Sequence, residues 1–295
     1  MQQTRVYSYL KKTLEKKKAS YHEGYIRSEK EPSKKTYYFS AKPKKPKAMV
    51  VLVHGTGEHA LYPGFSLIES LIENGYETFS FDLPGHGPNS KGLFTKEACH
   101  GFLFEVHKKA AFLAQDRKVH LLGMSLGGAL SLRALQSEKK EAGLGFSSMT
   151  LLGVPTSLAL DPQMLLPEVW FSVNKNILSL REKIGLWEML PAFGPFKRSF
   201  FPIRLEGGGP ASLLYMGKVA ELLEEADLLA FREKLAIPCL LIYGQKDKIA
   251  PYHQGRFLWE CFKEARLLKV EGCNHFMLPF NDKVKEHLVG FLDEF

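Results

Sequence analysis

The sequence predicts an α/β fold built on a mostly parallel sheet with helices on both faces. Three observations point there. Short, fully apolar runs recur, and buried parallel strands read that way. Stretches with helical spacing separate them. The loops that close several of these runs are rich in glycine and in reactive side chains, as expected at the carboxyl ends of strands in such a sheet.

The elements follow in order. Val6, Leu10 and Leu14 share one helical face, so a short surface helix is expected near the start. Tyr21–Arg27 and Lys35–Ala41 read as two strands of a hairpin, and Lys42-Pro-Lys-Lys-Pro-Lys47 as a charged connector. Ala48–Val53 is a continuous apolar strand ending at His54-Gly55-Thr56-Gly57-Glu58-His59. Phe65–Ile72 has helical spacing and stops at Asn74-Gly75. Glu77–Asp82 is the next strand and runs into Leu83-Pro84-Gly85-His86-Gly87. Thr95–Gln115 reads as a helix, Val119–Leu122 as a strand, Ser125–Gln136 as a helix and Ser148–Val154 as a strand.

The alternation then breaks over residues 156–235, where helical pieces are expected at Lys175–Leu190 and Lys218–Lys234. It resumes with strand Cys239–Tyr243, helix Tyr252–Glu264, strand Arg266–Val270 and helix Asp282–Phe295. Val284, Leu288, Phe291, Leu292 and Phe295 give that last helix one apolar face. The interruption leaves from the strand edge where ligands bind, so it is expected to lie over the site as a cap. Its aromatic residues, Trp170, Phe171, Trp187, Phe193, Phe196, Phe200 and Phe201, serve either the cap's own core or an acyl-chain pocket. Gly207-Gly208-Gly209-Pro210 is a candidate hinge.

Composition narrows the class. The 295 residues are 45% hydrophobic and 24% charged, ordinary for a globular protein. No apolar stretch nears the roughly 20 residues of a membrane helix, and the lysine-rich start does not read as a signal peptide. Cys99, Cys239, Cys261 and Cys273 form no CxxC pair, so free thiols in a reducing compartment and no zinc site are expected. The expected location is the cytoplasm. The net charge of +8 is uneven: residues 1–48 hold 14 basic and 4 acidic side chains, the remainder 26 and 28. The basicity therefore belongs to an N-terminal arm, residues 1–34, and not to the body that carries the motifs. That argues against a nucleic-acid enzyme. The arm is either a solvated segment or a peripheral contact for an anionic membrane.

Gly123-Met124-Ser125-Leu126-Gly127 is a GxSxG sequence between an expected strand and an expected helix, the context of a nucleophile elbow. Side chains at positions 123 and 127 would clash with neighbouring elements in so sharp a turn, and Gly128 relieves further crowding. A serine hydroxyl needs a base, and the base an orienter. His275, after strand Arg266–Val270, is the candidate base. Asp247, after strand Cys239–Tyr243, is the candidate orienter. Glu271 and Asp282 are reserve acids. The candidate oxyanion donors are the backbone amides of Leu126 and Thr56. His54, His59, His86 and Asp82 are read as loop-shaping residues.

Together these residues resemble the α/β-hydrolase superfamily. The runs His54-Gly-Thr-Gly-Glu-His59 and Phe81-Asp-Leu-Pro-Gly-His-Gly87 are similar to its monoacylglycerol lipase and lysophospholipase branch. The resemblance covers residues 35–155 and 236–295. It implies an eight-stranded, mostly parallel sheet with an inserted helical cap, and a triad of Ser125, Asp247 and His275 with oxyanion amides at Thr56 and Leu126. The branch commonly has a histidine before the nucleophile, where this chain has Met124, and a methionine after it, where this chain has Leu126. The function expected is hydrolysis of small-molecule carboxylic esters of acyl chains, with no metal or organic cofactor. Thioesterase, other acyl-hydrolase or acyltransferase chemistry on the same triad is the first alternative. A catalytically silent binding protein of the same fold is the second.

Overall fold

The structure is a computed structural model, described for residues 2–27, 35–56, 58–61, 64–84, 86, 96–138, 145–157 and 235–295. Helix α1 (Gln2–Lys16) leads into the hairpin β1 (Ser20–Arg27) and β2 (Lys35–Lys42). Then come β3 (Ala48–Val53), α2 (Phe65–Glu73), β4 (Tyr76–Phe81), α3 (Lys96–Ala114), β5 (Val119–Met124), α4 (Leu126–Glu138) and β6 (Ser148–Leu152). After the break, β7 (Cys239–Gly244), α5 (Tyr252–Trp259), β8 (Ala265–Val270), a 3-10 turn (His275–Phe280) and α6 (Asp282–Glu294) complete the order. The expected cap helices, the cap aromatics and the Gly207 hinge lie outside the described residues.

The strands form one eight-stranded sheet in the order β1-β2-β4-β3-β5-β6-β7-β8. The first three are joined antiparallel, and every pairing from β4 to β8 is parallel. Strand β3 shows why its apolar run is continuous. Met49, Val51 and Val53 enter the core on one face of the sheet, with α3, α4 and α5. Ala48, Val50 and Leu52 enter the core on the other face, with α1, α2 and α6. The period-2 alternation of a strand thus feeds two separate cores. From β3 the chain goes to β4 on one side and, through α3, to β5 on the other. That reversal opens a crevice at the carboxyl ends of β3 and β5.

The N-terminal segment departs from its expected role as a basic arm. Leu10 and Leu14 are fully buried in the core shared with α2. Tyr9 meets Phe65 of α2 edge-on at 5.8 Å. Glu23 of β1 accepts hydrogen bonds from the hydroxyls of Tyr7 and, at 2.7 Å, Tyr37. Strand β1 pairs with β2 over eight residues. The Leu10–Leu14 face is covered by α2, where burial removes it from water. Lys12, Lys16 and Lys18 remain exposed around it. Among the described residues, no helix is long and apolar enough to cross a membrane.

Helix α5 ends at Trp259, five residues before its expected end. The Leu235 amide donates to the Cys261 carbonyl at 2.8 Å, and the Lys263 amide donates to the Leu235 carbonyl at 2.9 Å. Backbone pairing with Leu235 replaces further helix and starts the turn into β8. Leu14→Ala should destabilise the whole chain by about 2–5 kcal/mol, the cost of a buried leucine deletion. Urea unfolding checks this, and a loss under about 0.5 kcal/mol, the range of surface substitutions, would mean that α1 is not docked.

Candidate active site

Strand β5 ends at Met124 and helix α4 begins at Leu126, leaving Ser125 as a one-residue apex. Its φ is 48°, in the left-handed region that side chains other than glycine disfavour. Three backbone hydrogen bonds hold it there. The Ser125 amide donates to Leu152 O at 2.9 Å, and its carbonyl accepts from Gly128 at 3.0 Å and Ala129 at 3.2 Å. The flanking glycines are steric requirements. A Cβ at Gly123 would lie 2.5 Å from Gly128 Cα, and one at Gly127 would lie 2.3 Å from His54 O and 2.4 Å from Val53 O. A Cβ at Gly128 would meet Val154 Cγ2 at 2.2 Å. The elbow is wedged between β3 and β6, as the GxSxGG spacing predicts.

Asp247 follows β7 and His275 follows β8. Their loops are tied together where the Lys246 amide donates to Cys273 O at 2.8 Å. Gly244 permits this closeness, since a Cβ there would sit 2.5 Å from that carbonyl. The Asp247 side chain is fully buried, and its oxygens are occupied. Oδ1 accepts from the amides of Ile249 at 2.9 Å and Ala250 at 2.8 Å. Oδ2 faces His275 Nδ1 at 2.7 Å. His275 Nε2 lies 3.0 Å from Ser125 Oγ. A carboxylate only accepts, so Nδ1 carries the proton and Nε2 turns its lone pair to the serine hydroxyl. Asn274 fixes the start of the 3-10 turn by accepting from the Met277 amide at 3.1 Å. The structure therefore brings Ser125, His275 and Asp247 into one hydrogen-bonded line. The reserve acids are elsewhere: Glu271 is exposed, and the Asp282 side chain is 87% exposed and pairs with Lys285.

The loop after β3 lies against Ser125. A Cβ at Gly55 would be 3.1 Å from Ser125 Cβ. Leu126 opens α4, where a helix leaves its amide without an intrahelical acceptor. The loop itself is shaped by buried polar groups. His54 Nδ1 donates to Gly55 O at 2.8 Å, and its Nε2 accepts from the Leu83 amide at 2.9 Å. That pattern needs a neutral ring, and burial holds His54 well below the usual histidine range. Burial likewise pushes His59 and His86 down to about 4. His59 accepts from the Leu61 amide at 3.2 Å, His86 bonds Pro84 O at 3.0 Å, and Asp82 accepts from the Ala60 amide at 2.6 Å. All four loop-shaping assignments agree with these bonds to backbone.

A profile of the alpha/beta hydrolase family matches residues 50–286. The chain belongs to the α/β hydrolase family. A putative monoglyceride lipase of Schizosaccharomyces pombe is 39% identical over 95 residues, which is 30% of this chain and only 25% of that protein. A pimeloyl-[acyl-carrier protein] methyl ester esterase of Neisseria meningitidis is 27% identical over 77% of this chain and 86% of its own. Among solved structures, a carboxyl esterase from Bacillus coagulans superposes with a TM-score of 0.61 at 18% identity, covering 93% of this chain and 98% of that one. A monoacylglycerol lipase from Paleococcus ferrophilus gives 0.57 at 22% identity, covering 86% and 98%. At such identities the structural likeness concerns the α/β hydrolase fold alone.

Two residues at this α/β hydrolase site escaped sequence reasoning. Gly153, at φ 58°, follows β6 directly and lies beside the His275–Asp247 pair. A Cβ there would lie 3.2 Å from His275 Nδ1 and 3.3 Å from Asp247 Oδ2. A glycine inside an apolar strand run was the available signal. Glu58 is partly buried, and its carboxyl accepts from the Gly55 amide at 2.5 Å. Its only sequence signal was an acid set in a glycine-histidine loop. Gly127→Ala should destabilise the chain by at least about 2 kcal/mol, because the methyl group meets backbone on two sides. Gly290→Ala, in α6 with nothing within 4 Å of its Cβ, is the control. It should be neutral or stabilising by up to about 1 kcal/mol in the same urea titration.

Proposed function

We propose that this chain is a serine hydrolase that cleaves carboxylic esters of acyl chains through an acyl-enzyme on Ser125. The observation that carries the reading is the line from Ser125 Oγ through His275 to Asp247, at 3.0 Å and 2.7 Å. The esterase and lipase names of its relatives support the ester as substrate class.

In this reading, Ser125 Oγ attacks the ester carbonyl carbon as His275 Nε2 takes its proton. The carbonyl π pair moves onto oxygen, and the resulting oxyanion receives hydrogen bonds from the amides of Leu126 and Thr56. Among the described residues, neither amide donates to a protein acceptor, so both are free to do so. Each such donor is worth roughly 3 kcal/mol in the transition state. The C–O bond to the leaving alcohol then breaks, and the imidazolium returns the proton to that oxygen. Asp247 holds the imidazole in its tautomer and stabilises the imidazolium. Water, deprotonated by the same nitrogen, hydrolyses the acyl-enzyme and releases the acid. The reading assigns the role of cap to residues 156–235, which lie between β6 and β7 in chain order. The core of the reading is residues 35–155 with 236–295.

A panel of p-nitrophenyl esters, monoglycerides and acyl thioesters tests the proposal. Esters should be turned over, and Ser125→Ala should lower kcat by at least about 1,000-fold. A fluorophosphonate should label the wild-type chain and leave Ser125→Ala unlabelled. Labelling that persists in that variant removes Ser125 from its role. Turnover of thioesters alone moves the substrate class, and ligand binding without turnover favours the silent-fold reading.

A further inference from the structure

Resting on that reading, we propose that Glu58 is a positioning residue that sets the direction of the Thr56 oxyanion donor by holding the Gly55 amide. Gly55 is the joint of this loop. Lacking a Cβ, it leaves the peptide units on either side of its Cα free to rotate. Both units are held by side chains. The His54–Gly55 unit is held through its N–H, which donates to Glu58 Oε2 at 2.5 Å. The Gly55–Thr56 unit is held through its C=O, which accepts from His54 Nδ1 at 2.8 Å. In a trans peptide the carbonyl and the N–H point in opposite directions, so holding Gly55 O aims the Thr56 N–H the other way. Glu58 and His54 thus fix the two rotations that decide where that N–H points.

The placement suits the chemistry. The point where a Cβ at Gly55 would sit is 2.9 Å from Glu58 Oε2 and 3.1 Å from Ser125 Cβ. The carboxyl and Ser125 Cβ therefore border the same side of Gly55. An ionised group there would oppose an oxyanion. Burial pushes Glu58 up to about 8, which favours the uncharged acid, and either form accepts the Gly55 hydrogen bond. An oxyanion donor acts through being preorganised, and a glycine-bearing loop has little preorganisation of its own.

Two variants of similar length separate this role from simple packing. Glu58→Gln keeps an acceptor oxygen for the Gly55 amide, and Glu58→Met fills the space without one. Glu58→Met should lower kcat by about 10–100-fold with KM within about 3-fold, a partial loss of one oxyanion donor. Glu58→Gln should recover kcat to within about 3-fold of wild type, since the hydrogen bond survives. The rate of fluorophosphonate labelling at Ser125 should follow the same order, because the phosphonyl oxygen uses the same donors. Melting temperatures establish that both variants are folded. Equal rates for Glu58→Met and wild type overturn the proposal, as does equal impairment of the two variants. If wild type hydrolyses no ester, the substrate reading fails, and the labelling rates still decide the role of Glu58.

Discussion

A serine held at φ 48° between a strand and a helix is the constraint on which the rest of the site depends. That conformation disfavours a side chain, so the surroundings must enforce it. They do so by crowding. Gly123, Gly127 and Gly128 let β5 and α4 approach β3 and β6 more closely than any side chain permits. The Ser125 amide is bonded to Leu152 of the next strand. The same wedge that strains the backbone pushes the hydroxyl to the rim of the sheet. It also leaves the first amide of α4 without an intrahelical acceptor.

Around that apex the loops are built from buried polar groups bonded to backbone. Asp247 has both oxygens occupied, by two amides and by His275, which lets a carboxylate sit fully buried. His54, His59 and His86 are kept neutral by burial and bond backbone groups of the loops after β3 and β4. In a region with so many titratable side chains, one imidazole is aimed at the serine. The others hold the scaffold that faces it. Glu58 belongs to that scaffold by its contact with Gly55.

The N-terminal module extends the same logic away from the site. Helix α1 covers α2 and shares its core, while β1 and β2 widen the sheet by two antiparallel strands. Its lysines made it look like a detached arm. Pairing between Glu23 and the Tyr7 and Tyr37 hydroxyls joins helix and hairpin, and Lys17 pairs with Glu73 of α2. Part of the charge that dominates the local composition is therefore engaged within the fold.

The sequence by itself determined the elements and the chemistry of the elbow. Continuous apolar runs such as Ala48–Val53 mark strands buried on both faces, and GxSxGG admits few backbone geometries because its glycines exclude side chains. The order Ser125, Asp247, His275, each just past a strand, was legible for the same reason. Tertiary structure alone decided what depends on distance between segments far apart in the chain. It brought Asp247, and neither Glu271 nor Asp282, against His275 through the β7–β8 pairing, and turned the Leu10–Leu14 face inward onto α2. It stopped α5 at a bridge to Leu235, and set Gly153 against His275 and Asp247, and Glu58 against the Gly55 amide. Local patterns report the turn and the face a residue occupies. They carry no information on which remote backbone atom will lie 3 Å away, because packing between non-adjacent elements fixes that.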